Sequence, residues 1–407
     1  MINKSINYYF LVLFSALPVS IIAGSSVSLA NVLIIDISFL LLIFINKDFS
    51  FLKKKSVKYL FLLYIYLIFN SLISINPEIG LYRNFGFLRI ILLFIAINYF
   101  FEQKFFHKKV LFFWSLILCI VIFDVFFESF TGRNLLGYGG NFGGLGGKRI
   151  VSFFKDEPIV GGYINGFFLI LIGYLFNEFD KNKKNLILIL SIVFLISVFL
   201  TGERSNSIKA IIGLLLFYTF LKEYQIKHKI LIFIFMIFSL SILILNSQFL
   251  KLRFVDQMKF YKNTENIYFK LYNSGLEVFY DNKYFGVGNK NYRVITCDQN
   301  KKNDPNNKKG YQCSTHPHQI YFELLSEHGI IGALFIIFIF YKLVFSKILK
   351  TLYSKNYVQL GSLIYMVTTF LPLLPSGAFF GDYMLTIFAI NLSIFYGISS
   401  KLNIYKK

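Results

Sequence analysis

Apolar runs of about 17–25 residues recur from one end of this chain to the other, and that is the length that spans a bilayer. Of 407 residues, 51 are Phe, 27 are Tyr and 56% are hydrophobic, more apolar surface than a soluble domain can bury. The strict alternation of a membrane β-barrel is absent, so the backbone must satisfy its own hydrogen bonds as helices. The expected fold is an all-α integral membrane protein, one polytopic domain over 1–407.

Twelve spans fit the pattern, at roughly 7–24, 27–46, 59–75, 85–101, 110–129, 158–177, 185–200, 205–221, 230–247, 319–345, 357–373 and 383–399. The opening MINKSIN leads straight into the first run without a small-residue cleavage site, which predicts an uncleaved first span. With both termini cytoplasmic, the inside segments hold 21 Lys and 5 acids, whereas Arg83 and Arg204 are the only basic residues of the short outside loops. That asymmetry is the positive-inside bias and sets the orientation. Much of the formal net charge of +21 is therefore topological signal facing anionic lipid, not a nucleic-acid surface.

Two outside segments are long. One, 130–157, is rich in glycine; it lacks the Gly-Lys-Ser/Thr ending of a nucleotide loop. The other, 248–318 between spans nine and ten, carries 12 Lys+Arg and 6 acids. Basic charge outside an otherwise lysine-inside protein suits an anionic ligand. Cys297 and Cys313 both fall in this loop and are disulfide candidates, whereas Cys119 lies within a span and reads as packing. Closing a loop of that size is worth about 3 kcal/mol in the chain-entropy model. No metal site is expected, since His316 and His318 lack a second ligand pair at suitable spacing.

The most informative stretch is Thr315–Gly332, THPHQIYFELLSEHGIIG. Proline belongs in the first helical turn, which predicts that His318 also lies there, at the positive end of the dipole and biased to the neutral form. His318 is then a base at a water–membrane boundary, with His316 as its rival. Arg204, in the tight TGERSNS connection, and Arg293, in GVGNKNYR, are candidates for a diphosphate, whose oxygens match guanidinium bidentately. Arg149, Lys155, Asp156 and Glu157 end the glycine-rich loop and either line the same cavity or mark the interface. Asp36, in mid-span, is expected to pair with a neighbouring span or to be protonated. Lys209 is expected to snorkel outward.

Taken together, these features resemble the O-antigen ligases. The motif of that family is His, then Asn, Ser or Gln, nine residues, then Gly-x-x-Gly/Thr/Tyr, and here it reads His318-Gln319, Ile320 to His328, Gly329-Ile-Ile-Gly332. Glu327-His328-Gly329 is similar to the family's Glu-x-Gly step, and the segments around Arg204 and Arg293 resemble its two recurrent arginine regions. The resemblance implies a glycosyltransferase of the bacterial inner membrane, working on the periplasmic face without cofactor or ATP. Its donor would be an undecaprenyl-diphosphate-linked glycan and its acceptor a sugar hydroxyl of lipid A-core. O-antigen polymerases and protein O-oligosaccharyltransferases share this architecture and remain alternatives. A lipid-linked sugar transporter is a more distant one, because no matched pair of broken spans is evident. A non-catalytic scaffold predicts that His318 and the arginines are dispensable.

Overall fold

A computed structural model describes residues 4–139, 149–155, 157–179, 184–257, 266–298 and 310–406. Among them there is no strand, only an isolated bridge between Arg133 and Gly139. The glycines of 140–148, Asp156 and the polar excursion 299–309 lie outside the described residues.

Helices cover all twelve expected spans. They are α1 and α2 (Lys4–Ser15, Leu17–Ala23), α3 (Ser25–Asn46), α4 (Lys55–Leu72), α5 and α6 (Pro77–Phe85, Leu88–Phe101), α7 (Lys104–Thr131) and α8 (Val160–Glu178). Next come α9 (Lys184–Leu200), α10 (Arg204–Phe220) and α11 (Ile226–Asn246). Outside the membrane pattern lie α12 (Ile267–Asp281) and α13 (Tyr292–Thr296), and α14 (Ile320–Leu343), α15 (Tyr357–Thr369) and α16 (Asp382–Gly397) follow. Among the described residues seven stretches are long and apolar enough to cross a membrane: Lys4–Ala23, Ser25–Asn46, Pro77–Phe101, Lys104–Thr131, Val160–Glu178, Ile226–Asn246 and Ile320–Leu352. At the other five expected spans α4, α9, α10, α15 and α16 are shorter or less apolar.

The centre of the bundle is α8, packed along α15 and flanked by α7, α9, α10 and α16. Small residues set this crossing: a side chain at Gly173 would meet the backbone of Tyr357, and one at Gly361 the backbone of Leu169. Close backbone approach gains dispersion where lipid offers no hydrophobic drive. By contrast α11 turns Ile230, Leu231, Ile234, Phe235, Ile237 and Phe238 outward, the surface expected against acyl chains. Cys119 is on an exposed face of α7 rather than in the packing. Asp36 is buried, and its two carboxylate oxygens have no hydrogen-bond partner on a neighbouring span.

The described parts of segment 248–318 are folded. A short helix at Gln248–Lys251 runs into a π-turn at Leu252–Asp256. α12 packs on α14, and Cys297 and Cys313 are joined by a disulfide.

Candidate functional site

The stretch leading into α14 is built differently from the expectation. Gln319, not Pro317, governs the helix start: its side-chain oxygen accepts from the N–H groups of Tyr321 and Phe322, at 2.7 and 3.1 Å, as an N-cap. Pro317 and His318 therefore precede the helix. His318 adopts φ +58°, a left-handed conformation that a histidine rarely takes. The Ser376 N–H donates to the His318 carbonyl at 2.8 Å. His316 is pinned on both ring nitrogens, Nδ1 to Thr315 Oγ1 at 2.9 Å and Nε2 to the Ser376 carbonyl at 3.2 Å.

Burial pushes the imidazolium of His316 down to about 4. Burial first, and the neighbouring His316 second, push His318 down to about 4, with Glu323 pulling the other way. Both rings are neutral at pH 7. The neutrality of His318 thus comes from burial and its neighbour, not from a place inside the helix dipole.

His318 opens into a cavity of about 540 Å³. Four cationic side chains line the same space: Arg149, Arg204, Lys209 and Arg253. Its apolar wall includes Phe168, Leu169, Tyr365, Leu374 and Met384. Lys209 was expected to reach outward; it is only 9% exposed, because the rotation of α10 turns it inward. Arg253 is equally unannounced in the sequence. It is 6% exposed, and its Nε donates to the Gly202 carbonyl at 3.0 Å, so the π-turn carries a cation down to the start of α10. The only sequence signal was its position in the basic segment 248–318.

Arg149 is placed by two carboxylates at the end of α7. Glu128 accepts from the N–H groups of Val151 and Ser152 at 3.2 and 2.6 Å, and Asp124 accepts from Ser152 Oγ at 2.5 Å and from Leu135 N at 2.8 Å. Lys155 and Glu157 face a separate cavity of about 290 Å³ beside Gly24 and Asp382. Glu203, next to Arg204, accepts from Gly161 N at 2.7 Å and from Asn206 Nδ2 at 2.6 Å. Burial pushes its carboxyl up to about 7, although those bonds and Arg149 oppose the rise.

Arg293 is elsewhere: it is exposed on α13 and is not among the residues lining the cavity. The segment before it has a structural task. At Gly329 the backbone leaves the helical region, with φ +62° and ψ −172°. The break releases helix carbonyls and N–H groups, which residues 283–288 satisfy. Val287 and Gly288 donate to the carbonyls of Ser326 and Glu327 at 3.0 and 2.9 Å, while Ile330 donates to the Lys283 carbonyl at 2.8 Å. Asn70 of α4 joins the seam, donating to the Phe285 carbonyl at 3.0 Å. A side chain at Gly286 would strike the backbone of Glu327, one at Gly329 that of Tyr284, and one at Gly332 the Tyr66 ring. Glu327 and His328 are fully buried in the kink, away from the cavity.

Among the described residues no three His, Cys, Asp or Glu side chains gather as a metal ligand set. What the cavity offers is a neutral imidazole, four cationic side chains, the carboxyl of Glu203 and an apolar wall.

Residues 188–337 match the family model described as O-Antigen ligase. That region contains Arg204, Lys209, Arg253 and His318, and it leaves Arg149 outside. No curated protein matches the chain.

Proposed function

We propose that this chain, which the match over residues 188–337 supports placing in the O-antigen ligase-like superfamily of membrane glycosyltransferases, moves a glycan from a polyprenyl-diphosphate carrier to a sugar hydroxyl of a lipid A-core acceptor. The observation that carries this reading is the gathering of His318, Arg149, Arg204, Lys209 and Arg253 on one cavity with an apolar wall. A polyprenyl diphosphate is an anionic head on an apolar tail, and the cavity has a surface for each.

The donor bond is already activated, so ATP is not needed. Neutral His318 accepts the proton of the acceptor hydroxyl as its oxygen attacks the anomeric carbon. The bond from that carbon to the diphosphate oxygen breaks, and the electron pair leaves with the carrier diphosphate. Fixed guanidinium groups stabilise the charge as it gathers there, and this electrostatic share is usually the largest in such a reaction. General-base assistance contributes about 10²–10⁴-fold. One displacement inverts the anomeric centre, and no metal enters the scheme. In the cell the site would face the periplasm from the inner membrane, with both termini in the cytoplasm.

Transfer by purified protein in detergent tests this, with undecaprenyl-diphosphate glycan as donor, lipid A-core as acceptor, and no ATP or divalent ion. Wild type should make the ligated product, and His318→Ala should lose about 10²-fold or more of the rate while still binding donor. Equal rates would remove His318 as the base. Longer carrier-linked glycans in place of ligated product would make the chain a polymerase.

A further inference from the structure

One buried carboxylate near the site is not used in the scheme above. Glu323 lies in the first turn of α14, fully buried, and is not among the residues that line the cavity. The helix start does not need it as a cap, because Gln319 already takes the N–H groups of Tyr321 and Phe322. Burying a carboxylate is costly unless hydrogen bonds and a counter-charge compensate. Here both are supplied, and they come from two distant parts of the chain. The Phe379 N–H points between the two carboxylate oxygens, at 3.1 and 2.9 Å, and Lys290 Nζ lies 3.7 Å from Oε1.

The Phe379 contact ties Glu323 to the histidines by a second route. Three residues earlier in the same loop, Ser376 donates its N–H to the His318 carbonyl and receives Nε2 of His316 on its own carbonyl. Ser376 also lines the cavity. The loop joining α15 to α16 is thus fastened to both histidines at residue 376 and to α14 at residue 379. His318 is held at φ +58°, a conformation that relaxes unless its surroundings enforce it.

We propose that Glu323 is a positioning residue: with Lys290 as its counter-ion, it anchors the 376–379 loop and so fixes His318 towards the cavity. This rests on the reading of His318 as the base. The essential property is an acceptor for the Phe379 N–H, which a glutamine retains and an alanine lacks.

The test uses full-length Glu323→Ala, Glu323→Gln and His318→Ala in detergent. It measures kcat, the KM for undecaprenyl-diphosphate glycan, and deuterium exchange of the backbone amides at 374–381. Glu323→Ala should lower kcat about tenfold or more, because small misplacement of a reacting group is expensive, and should leave donor KM nearly unchanged. Exchange at Ser376 and Phe379 should quicken in the same variant. Glu323→Gln should recover most of kcat and restore slow exchange. Where the alanine variant does not fold, Glu323→Leu, which fills the space without an acceptor, is read in its place. Wild-type kcat in a folded variant lacking the acceptor, or a glutamine variant as impaired as alanine, would overturn the proposal. Full activity in His318→Ala would remove the base assignment instead, and the exchange data would still decide whether Glu323 fastens the loop.

Discussion

The imidazole rings of His316 and His318 lie with their centres 4.1 Å apart, tilted by 39°. A proton on one is felt by the other, and both rings sit at about 4 in the free protein. A diphosphate beside His318 would offset the burial cost of its imidazolium and raise its value. The acidic limb of kcat/KM reports the free enzyme and that of kcat the bound one. The kcat limb should therefore fall at the higher pH. The stability consequence has the opposite dependence from a salt-bridged histidine. Because the folded value is lowered from 6.5, the contribution of neutral burial is complete above about 6.5 and is lost as pH falls through about 4. Limbs that coincide, or a kcat limb at lower pH, would place the phosphates away from His318.

The cavity and the exposed face of α13 make opposite demands on their arginines. Arg253→Ala removes a cation that is 6% exposed and lines the cavity, and Arg204→Ala removes another that lines it. Either should raise the donor KM by about 10–100-fold, the worth of a charge-assisted contact. Arg293→Ala, outside the cavity, should change it by less than about threefold. Steady-state kinetics with varied donor would decide, and a strong effect confined to Arg293 would mean that the donor lies against α13 instead.

Glu203 makes donor affinity depend on pH. Its carboxyl is raised from 4.5 to about 7, so it is neutral below that value and anionic above it. A new negative charge among the cavity's cations opposes a diphosphate. A carrier-linked sugar diphosphate is a diester with no ionisation of its own in this range. Affinity should therefore fall as pH rises through about 7, by up to about tenfold. Glu203→Gln keeps an acceptor for the Gly161 N–H and should flatten the curve. Calorimetric titration at several pH values is the measurement, and the same slope in both proteins would acquit Glu203.

What the sequence disclosed about this molecule follows from where periodicity and motif carry information. The apolar runs located every helix that covers an expected span, since bilayer length is written in the chain itself. Their crossing lengths were less legible, because α15 and α16 are short and shielded by neighbours rather than by lipid. Arg204 was visible in its tight polar connection. Lys209, five residues later, has the same chemistry, but only the rotation of α10 against α8 and α15 decides that it faces inward. Arg253 required the π-turn, which has no sequence signature. The misplaced start of α14 had a plain cause: proline suits a first turn, but the side chain of Gln319 can cap two N–H groups and takes precedence.

The motif glycines belong to architecture rather than to chemistry, and Gly329 shows it most sharply. Its φ of +62° with ψ −172° lies where L residues are strained, and a Cβ there would strike the backbone of Tyr284. Neither neighbour can yield, because Ile330 and Ile331 donate to the carbonyls of Lys283 and Tyr284 across that contact. Backbone strain of about 1–3 kcal/mol and overpacking of about 1–3 kcal/mol both apply to Gly329→Ala. The variant should lose the helix kink, release the 283–288 segment and lower the melting temperature markedly, whereas His318→Ala should leave it near wild type. Thermal denaturation of the detergent-solubilised proteins separates the two roles. A Gly329→Ala protein as stable as wild type but unable to transfer glycan would instead make the glycine part of the reaction site.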